Sequence, residues 1–295
     1  MTESYRKVPG LHGGFTVEPM PSSAELADLC REEYYQRSAS VTYALDYSQD
    51  ELAWKRLKCD LAIHLLQRQD LTEGRLIDLG SGEGFLVEAA LRAGLDAYGV
   101  DFSDFGVERF HPQLRDRISA GEVTCFLEAS VAEGVLYDAF TLQHLVEHVR
   151  EPQLLLERVG ECLPLGGLAL VTVPNDENLV QHLAIDAQHI ETEFWFAPPQ
   201  HLHYFDTSSA VALAQAAGFD VLDVFTDFPI DVYLPHPGSN YVRDPGQGKS
   251  AHRARVEVEL TFGRQRLDLL RDLGAAQARC GIGRDLTMVL RRGDR

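Results

Sequence analysis

The stretch RLIDLGSGEGFLVEAALRAG, from Arg75 to Gly94, constrains the fold of this 295-residue chain more than any other segment. Its start, LIDL at 76–79, reads as a short buried strand, and the run from about 84 to 93 reads as a helix. Glycine stands at alternate positions between and into them, at Gly80, Gly82 and Gly84. Glycine gives up the most backbone freedom on folding, so this spacing implies a backbone or ligand that must come close.

The alternation of strand and helix continues downstream. Strands are expected at 97–102, 123–128, 138–142 and 168–173, with helices at about 104–118 and 152–163. Apolar strands separated by helices imply crossover connections and a parallel sheet covered on both faces. Such a sheet takes its ligands at the carboxyl ends of its strands. After Asn175 a long connection ends in PPQHLHYF, and connections of that length are uncommon unless functional. A helix at 208–217, a strand at 220–228 and a last strand at 285–290 restore the rhythm, around an insertion from Pro229 to Gly283 with a long helix from about Ser250. Ahead of the core, residues 1–22 read as an irregular arm. A helix then follows Ser22 or Ser23 through LADLCREEYY, and a second runs from about Ser48 to Gln67. The resulting division is an arm and helical cap at 1–70, a cofactor-binding α/β core at 71–230, a lid insertion at 231–283 and a final core strand at 284–295.

A net charge of −18 repels phosphate backbones and argues against a general nucleic-acid surface. The five cysteines form no Cys-x-x-Cys pair, so they read as reduced thiols of a cytoplasmic protein and not as a zinc or disulfide framework. No signal-peptide core opens the chain, and no window approaches the ~18 apolar residues of a membrane span.

Asp101 closes the second core strand, where a carboxylate can accept two hydrogen bonds from a ribose diol. NAD and S-adenosylmethionine both carry that diol. The bland reading of Asp101 is a helix cap before SDFGVERF. Dinucleotides prefer Gly-x-Gly-x-x-Gly, whereas the third glycine here comes one residue early.

DLGSGEG, GVDFS, FTLQHLVEHV and LPLGGLALVTVPN, in this order, resemble the class I S-adenosylmethionine-dependent methyltransferases over about residues 75–230. The resemblance implies a Rossmann-like, seven-stranded, mostly parallel sheet whose last strand is antiparallel. It also implies S-adenosylmethionine as cofactor and a methyl transfer to oxygen or nitrogen of a small molecule such as a sugar, nucleotide sugar or natural-product intermediate. Gly80, Gly82 and the backbone near Ser81 would face the methionine part of the cofactor and Asp101 the ribose, with Phe102 beside the adenine and Asp78 and Gly84 as further cofactor-binding positions. Ala129 and Ser130, after the strand expected at 123–128, stand where the family often has an adenine-contacting Asp, and Gln143, just after the fourth strand, is a further candidate cofactor contact.

The base is expected among the histidines. His144 follows the fourth strand at the carboxyl edge, and an unperturbed imidazole titrates near neutral pH. His201 and His203 share one side of an extended PPQHLHYF, a stretch resembling one near the substrate mouth of small-molecule methyltransferases. Packing within their loops is the competing role for all three, and a structural role is expected for Glu147 and His148. Tyr34 or Tyr35 would close the cap over the cleft, and Tyr204, Asn240, Tyr241 and Arg253 are candidate substrate contacts. Arg253 and Arg255 suit a substrate phosphate or carboxylate, although surface pairing with Glu257 or Glu259 is commoner. No metal-ligand cluster is evident in the spacing, and the expected partners are a small-molecule substrate and a second copy in a homodimer, with neither nucleic acid nor membrane. An NAD-dependent oxidoreductase and a non-catalytic cofactor-binding scaffold are the competing readings.

Overall fold

Strands β3 (Arg75–Leu79), β4 (Asp96–Asp101), β6 (Ala139–Gln143) and β7 (Leu168–Pro174) are mostly apolar and buried because both faces of the sheet they form are covered. Successive residues serve opposite cores. Ile77, Phe140 and Ala169 join one cluster, while Leu76, Ala139 and Leu170 join the other. A computed structural model describes residues 5–26, 47–264 and 266–294. With β5 (Ile118–Ala120), β9 (Phe219–Thr226) and β10 (Asp285–Arg292) the sheet has seven strands in the order β5-β4-β3-β6-β7-β10-β9. β10 is antiparallel to both neighbours, and the pairs between β3 and its neighbours are parallel.

Helix α1 (Gln49–Gln67) and α2 (Phe85–Arg92) cover one face. On the other face lie α4 (Val123–Glu133), α5 (Pro152–Glu161) and α7 (Thr207–Ala216), while α3 (Phe105–Phe110) buries Val107 in the core of the first face and α6 (Leu179–Asp186) adds Ala184 to a smaller cluster with Val17 and Tyr204. Between β9 and β10, α8 (Gly248–Gly263) and α9 (Leu267–Arg279) return to the α1 face, where Ala275 of α9 packs under Phe225 in the same core as α1. The insertion thus reaches the site from the same side as α1. Ser48 caps α1 in a full capping box with Glu51. Ser48→Ala removes the acceptor for the Glu51 N–H and is expected to cost about 1 kcal/mol, read as a fall of roughly 2 °C in the thermal midpoint.

Three expectations are corrected. Residues 123–128 are not a strand: they open α4, which ends at Gly134 in the left-handed conformation with φ 66°, and the third core strand is the preceding Ile118–Ala120. The arm is not irregular. β1 (Arg6–Pro9) and β2 (Phe15–Glu18) form a hairpin whose second strand pairs β8 (His203–Tyr204), giving a separate three-stranded sheet. The helix expected at 104–118 stops at Phe110, because Pro112 cannot continue it, and a 3-10 turn over Pro112–Arg117 takes the chain to β5. Ser22 accepts the Glu25 N–H where residues 23–26 begin a helix. The rest of that expected helix, with Tyr34 and Tyr35, lies outside the described residues. No helix among the described residues is long and apolar enough to cross a membrane.

Candidate active site

The glycine turn is a left-handed path that side chains would resist. Gly80, Gly82 and Gly84 have φ of 76°, 51° and 80°. The Gly80 and Ser81 N–H groups both donate to Val100 O, at 2.8 and 3.2 Å, tying the turn to the end of β4. Two further glycines make room for it: a Cβ on Gly99 would lie 2.5 Å from Ser81 Oγ, and one on Gly106 2.8 Å from Gly82 O. The Ser81 hydroxyl is buried without a hydrogen-bond partner among the described residues.

Asp101 reaches the turn from β4. Its Oδ2 accepts the Gly82 N–H at 2.8 Å and its Oδ1 the Ser103 N–H at 3.0 Å. Burial raises its pKa, and the N–H groups of Ser103, Gly82 and Phe102 work against that rise. An ionised carboxylate offers about four lone-pair sites, so acceptor capacity is left for a diol. The residues therefore fit a nucleoside whose ribose sits on Asp101. Asp78 lies deeper. It accepts the Thr141 hydroxyl at 2.7 Å, and burial pushes it up to about 7.

The adenine end needs revision, because the strand placed at 123–128 is a helix. Ala129 is exposed on α4, and the Ser130 hydroxyl is 3.2 Å from the Tyr137 hydroxyl in the core beneath the sheet. The residues that follow the third strand are Gly121 and Glu122, and the Gly121 N–H donates to Asp101 O at 2.8 Å.

Across the turn, a Cβ on Gly80 would lie 3.8 Å from Leu145, so the segment after β6 adjoins the segment after β3. His144 is held there with φ 52°, a left-handed conformation uncommon outside glycine and a mark of functional sites. Its N–H donates to Thr172 O at 2.9 Å. The ring, 43% exposed, has Nε2 3.7 Å from Asp285 Oδ2 and Nδ1 3.3 Å from Glu147 Oε1. Burial opposes its protonation, but the two carboxylates outweigh burial and push the imidazole up to about 9. Asp285 is held below the ordinary carboxylate range by Lys58 and His144, against the opposing effect of burial.

His144 and Gln143 stand at the polar end of a cavity of about 230 Å³. Leu57 and Leu61 of α1, Phe225 of β9, Phe228, and Phe262 and Leu273 of α8 and α9 form its apolar walls. An ionic network closes the polar end. Lys58 Nζ is 3.1 Å from Asp285 and 3.4 Å from Asp227, and lies 5.0 Å over the Trp54 ring, which Arg255 covers at 4.8 Å. The Trp54 indole N–H donates to Glu259. Sequence reasoning missed Lys58, Asp227, Glu259 and Asp285, which come from four separate elements or loops.

The remaining candidates scatter. His201 and His203 do not line the cavity: His201 Nδ1 is 3.2 Å from Asp176, and His203 stacks on Phe205 with its Nε2 buried. Tyr204 is fully buried, its hydroxyl donating to His201 O and accepting the Ala197 N–H. Asn240 pins a turn by donating to His189 O and Leu234 O, and the Tyr241 hydroxyl donates to Asp231. These three side chains are committed to internal bonds. Arg253 is exposed on α8, whereas Arg255 turns inward to Asp227, 3.8 Å away.

The sheet order, the glycine turn and the ribose-competent carboxylate on the next strand define the class I S-adenosylmethionine-dependent methyltransferases. A family model described as a methyltransferase domain matches residues 52–224, and the chain belongs to that family. A ubiquinone biosynthesis O-methyltransferase from Chelativorans sp. is 33% identical over 103 residues, which are 34% of this chain and 40% of that protein. An mRNA cap guanine-N(7) methyltransferase from Schizosaccharomyces pombe is 27% identical over 123 residues, covering 37% of this chain and 34% of it. The chain thus spans well under half the length of either relative. The fold matches magnesium protoporphyrin IX methyltransferase from Synechocystis PCC 6803, solved with S-adenosylhomocysteine, with TM-score 0.53 at 10% identity over 92% of this chain and all of that one.

Proposed function

We propose that this protein moves the methyl group of S-adenosylmethionine to an oxygen, or secondarily a nitrogen, of a small ring-bearing molecule, with His144 as the base. The observation that carries the reading is the cavity, whose walls are largely apolar and whose lining includes His144, the residue next to the Leu145 that adjoins the glycine turn. Its walls favour a hydroxylated aromatic or alicyclic body over a nucleotide sugar, whose phosphates would meet a chain of net charge −18. The same charge argues for a small acceptor over nucleic acid.

The bound cofactor supplies an electrophilic methyl group, so the chain has to align a nucleophile in line with the breaking S–CH₃ bond and exclude water. Asp101 and the turn hold the nucleoside end. The apolar walls hold the acceptor's ring, leaving its hydroxyl at His144. As the C–O bond forms and S-adenosylhomocysteine departs, His144 Nε2 takes the hydroxyl proton and Asp285 stabilises the resulting imidazolium. His144 does this in its neutral form, which its raised proton affinity makes scarcer but more basic.

A methyl-transfer screen with labelled cofactor over phenols, aminosugars and nucleotide sugars tests this. Transfer to phenols is expected, and tight cofactor binding with no transfer to anything would favour a non-catalytic scaffold. Filling the cavity gives a second test. Leu273→Trp is expected to raise the acceptor KM at least about tenfold, the effect of losing a few buried methylene contacts, without changing cofactor affinity. Unchanged KM would remove the cavity from the acceptor path.

A further inference from the structure

We propose that Glu147, His148 and His201 form a binding site for a divalent transition-metal ion of the zinc class, outside the lining of the cavity and joined to it through His144. The three side chains each offer a ligand atom, and these atoms all lie within 4.8 Å of one another. The Glu147 carboxylate is 0% exposed, and neither of its oxygens has a hydrogen-bond partner among the described residues. Its neighbours are the His144 and His148 rings, at 3.3 and 3.7 Å. A carboxylate buried in that way needs positive charge around it; His144 stands on one side, and a metal ion between His148 and His201 would supply it on the other.

Both histidines are already oriented as metal ligands are. His148 Nδ1 is 2.6 Å from Gln200 O, so Nδ1 carries the hydrogen and the Nε2 lone pair is turned toward Glu147. His201 Nδ1 is 3.2 Å from Asp176, a buried carboxylate itself held by Arg284 at 3.2 Å, so Nε2 is the ring nitrogen of His201 without that partner. A backbone carbonyl behind one ligand and a carboxylate behind the other are the outer partners that fix a ligating imidazole's tautomer and orientation. The two rings meet edge to face with centroids 5.0 Å apart. Their side chains are 42% and 23% exposed, so small rotations can bring both nitrogens to about 2.0–2.1 Å from one ion.

Two imidazoles and one carboxylate suit zinc or a neighbouring divalent ion over calcium or magnesium. Three protein ligands leave at least one coordination position open, on the solvent side where His148 and His201 are exposed. Binding would tie the PPQHLHYF segment to the turn after β6, one carboxylate away from His144. The spacing of 147, 148 and 201 hides the cluster from a motif search, because the third ligand comes from beyond β7 and α6.

The test reads metal occupancy, so its failure is separate from failure of the methyl-transfer reading. Protein stripped with a chelator and dialysed is titrated with Co²⁺ and then Zn²⁺. One equivalent of Co²⁺ with ligand-field absorption, displaced by Zn²⁺, is expected. His148→Ala and His201→Ala are each expected to weaken Zn²⁺ binding by at least about tenfold, the least that losing a ligand or its support costs. His182→Ala, a histidine paired with Glu177 outside the cluster, is expected to leave it unchanged. S-adenosylhomocysteine affinity in each variant reports on folding. The proposal is overturned if the stripped wild type shows no saturable binding, or if His148→Ala and His201→Ala bind Zn²⁺ as tightly as wild type.

Discussion

His144→Asn is expected to lower kcat by about 10²–10⁴-fold, the usual contribution of a positioned acid or base, while S-adenosylhomocysteine binds as in wild type. Asparagine is the informative replacement because it tolerates the left-handed backbone that His144 adopts, so the loop keeps its path when the imidazole goes. The substitution removes the group facing Asp285 and Glu147 without removing a buried side chain, since the ring is 43% exposed. Single-turnover methyl transfer measures the chemical step directly. If His144→Asn turned over at the wild-type rate, alignment alone would carry the reaction and the base would have to be abandoned.

Asp101→Ala is expected to weaken S-adenosylhomocysteine binding by about 10–100-fold, measured by titration calorimetry. A hydrogen bond to a charged group contributes roughly 1.5–3 kcal/mol, and each 1.4 kcal/mol is tenfold in affinity. The same residue sets a pH dependence. Its pKa is raised by burial, so protonation removes the diol acceptor at a higher pH than for an exposed Asp. Cofactor affinity should therefore fall on acidification, beginning above the ordinary aspartate range. Ionisation of a carboxyl with a raised pKa opposes folding, so the apo protein should gain stability from this group over the same acidification that weakens cofactor binding. An Asp101→Ala variant with wild-type affinity would rule out the ribose assignment.

The half of the site built from adjacent residues was legible. The turn at Gly80 to Gly84 announces itself because only glycine takes three left-handed steps there at little cost, and Asp101 follows at the end of the neighbouring strand. The other half is assembled from distant residues. Lys58 meets Asp227 and Asp285 only because α1, the end of β9 and the start of β10 converge, and no local pattern records that. The misread at 123–128 has a different cause. Val123, Thr124, Cys125 and Phe126 favour strands individually, yet the segment extends for 11 residues to a left-handed glycine stop at Gly134. That stop was the available signal. The hairpin in the arm escaped notice because its strands are four residues each and need β8, nearly two hundred residues on, to complete their sheet.

The position of β10 bears on how the chain is made. Parallel strands β3 to β7 and their glycine turn can pair as they emerge from the ribosome, since each meets a neighbour already synthesised. β9 cannot join them. Its place is beyond β10, which is translated after it and brings Asp285 on its first residue. The glycine turn and Asp101 can therefore come together early in synthesis, whereas the cavity at His144 is complete only once β10 has been inserted. A nascent chain stalled before β10 would be expected to hold cofactor while being unable to use it.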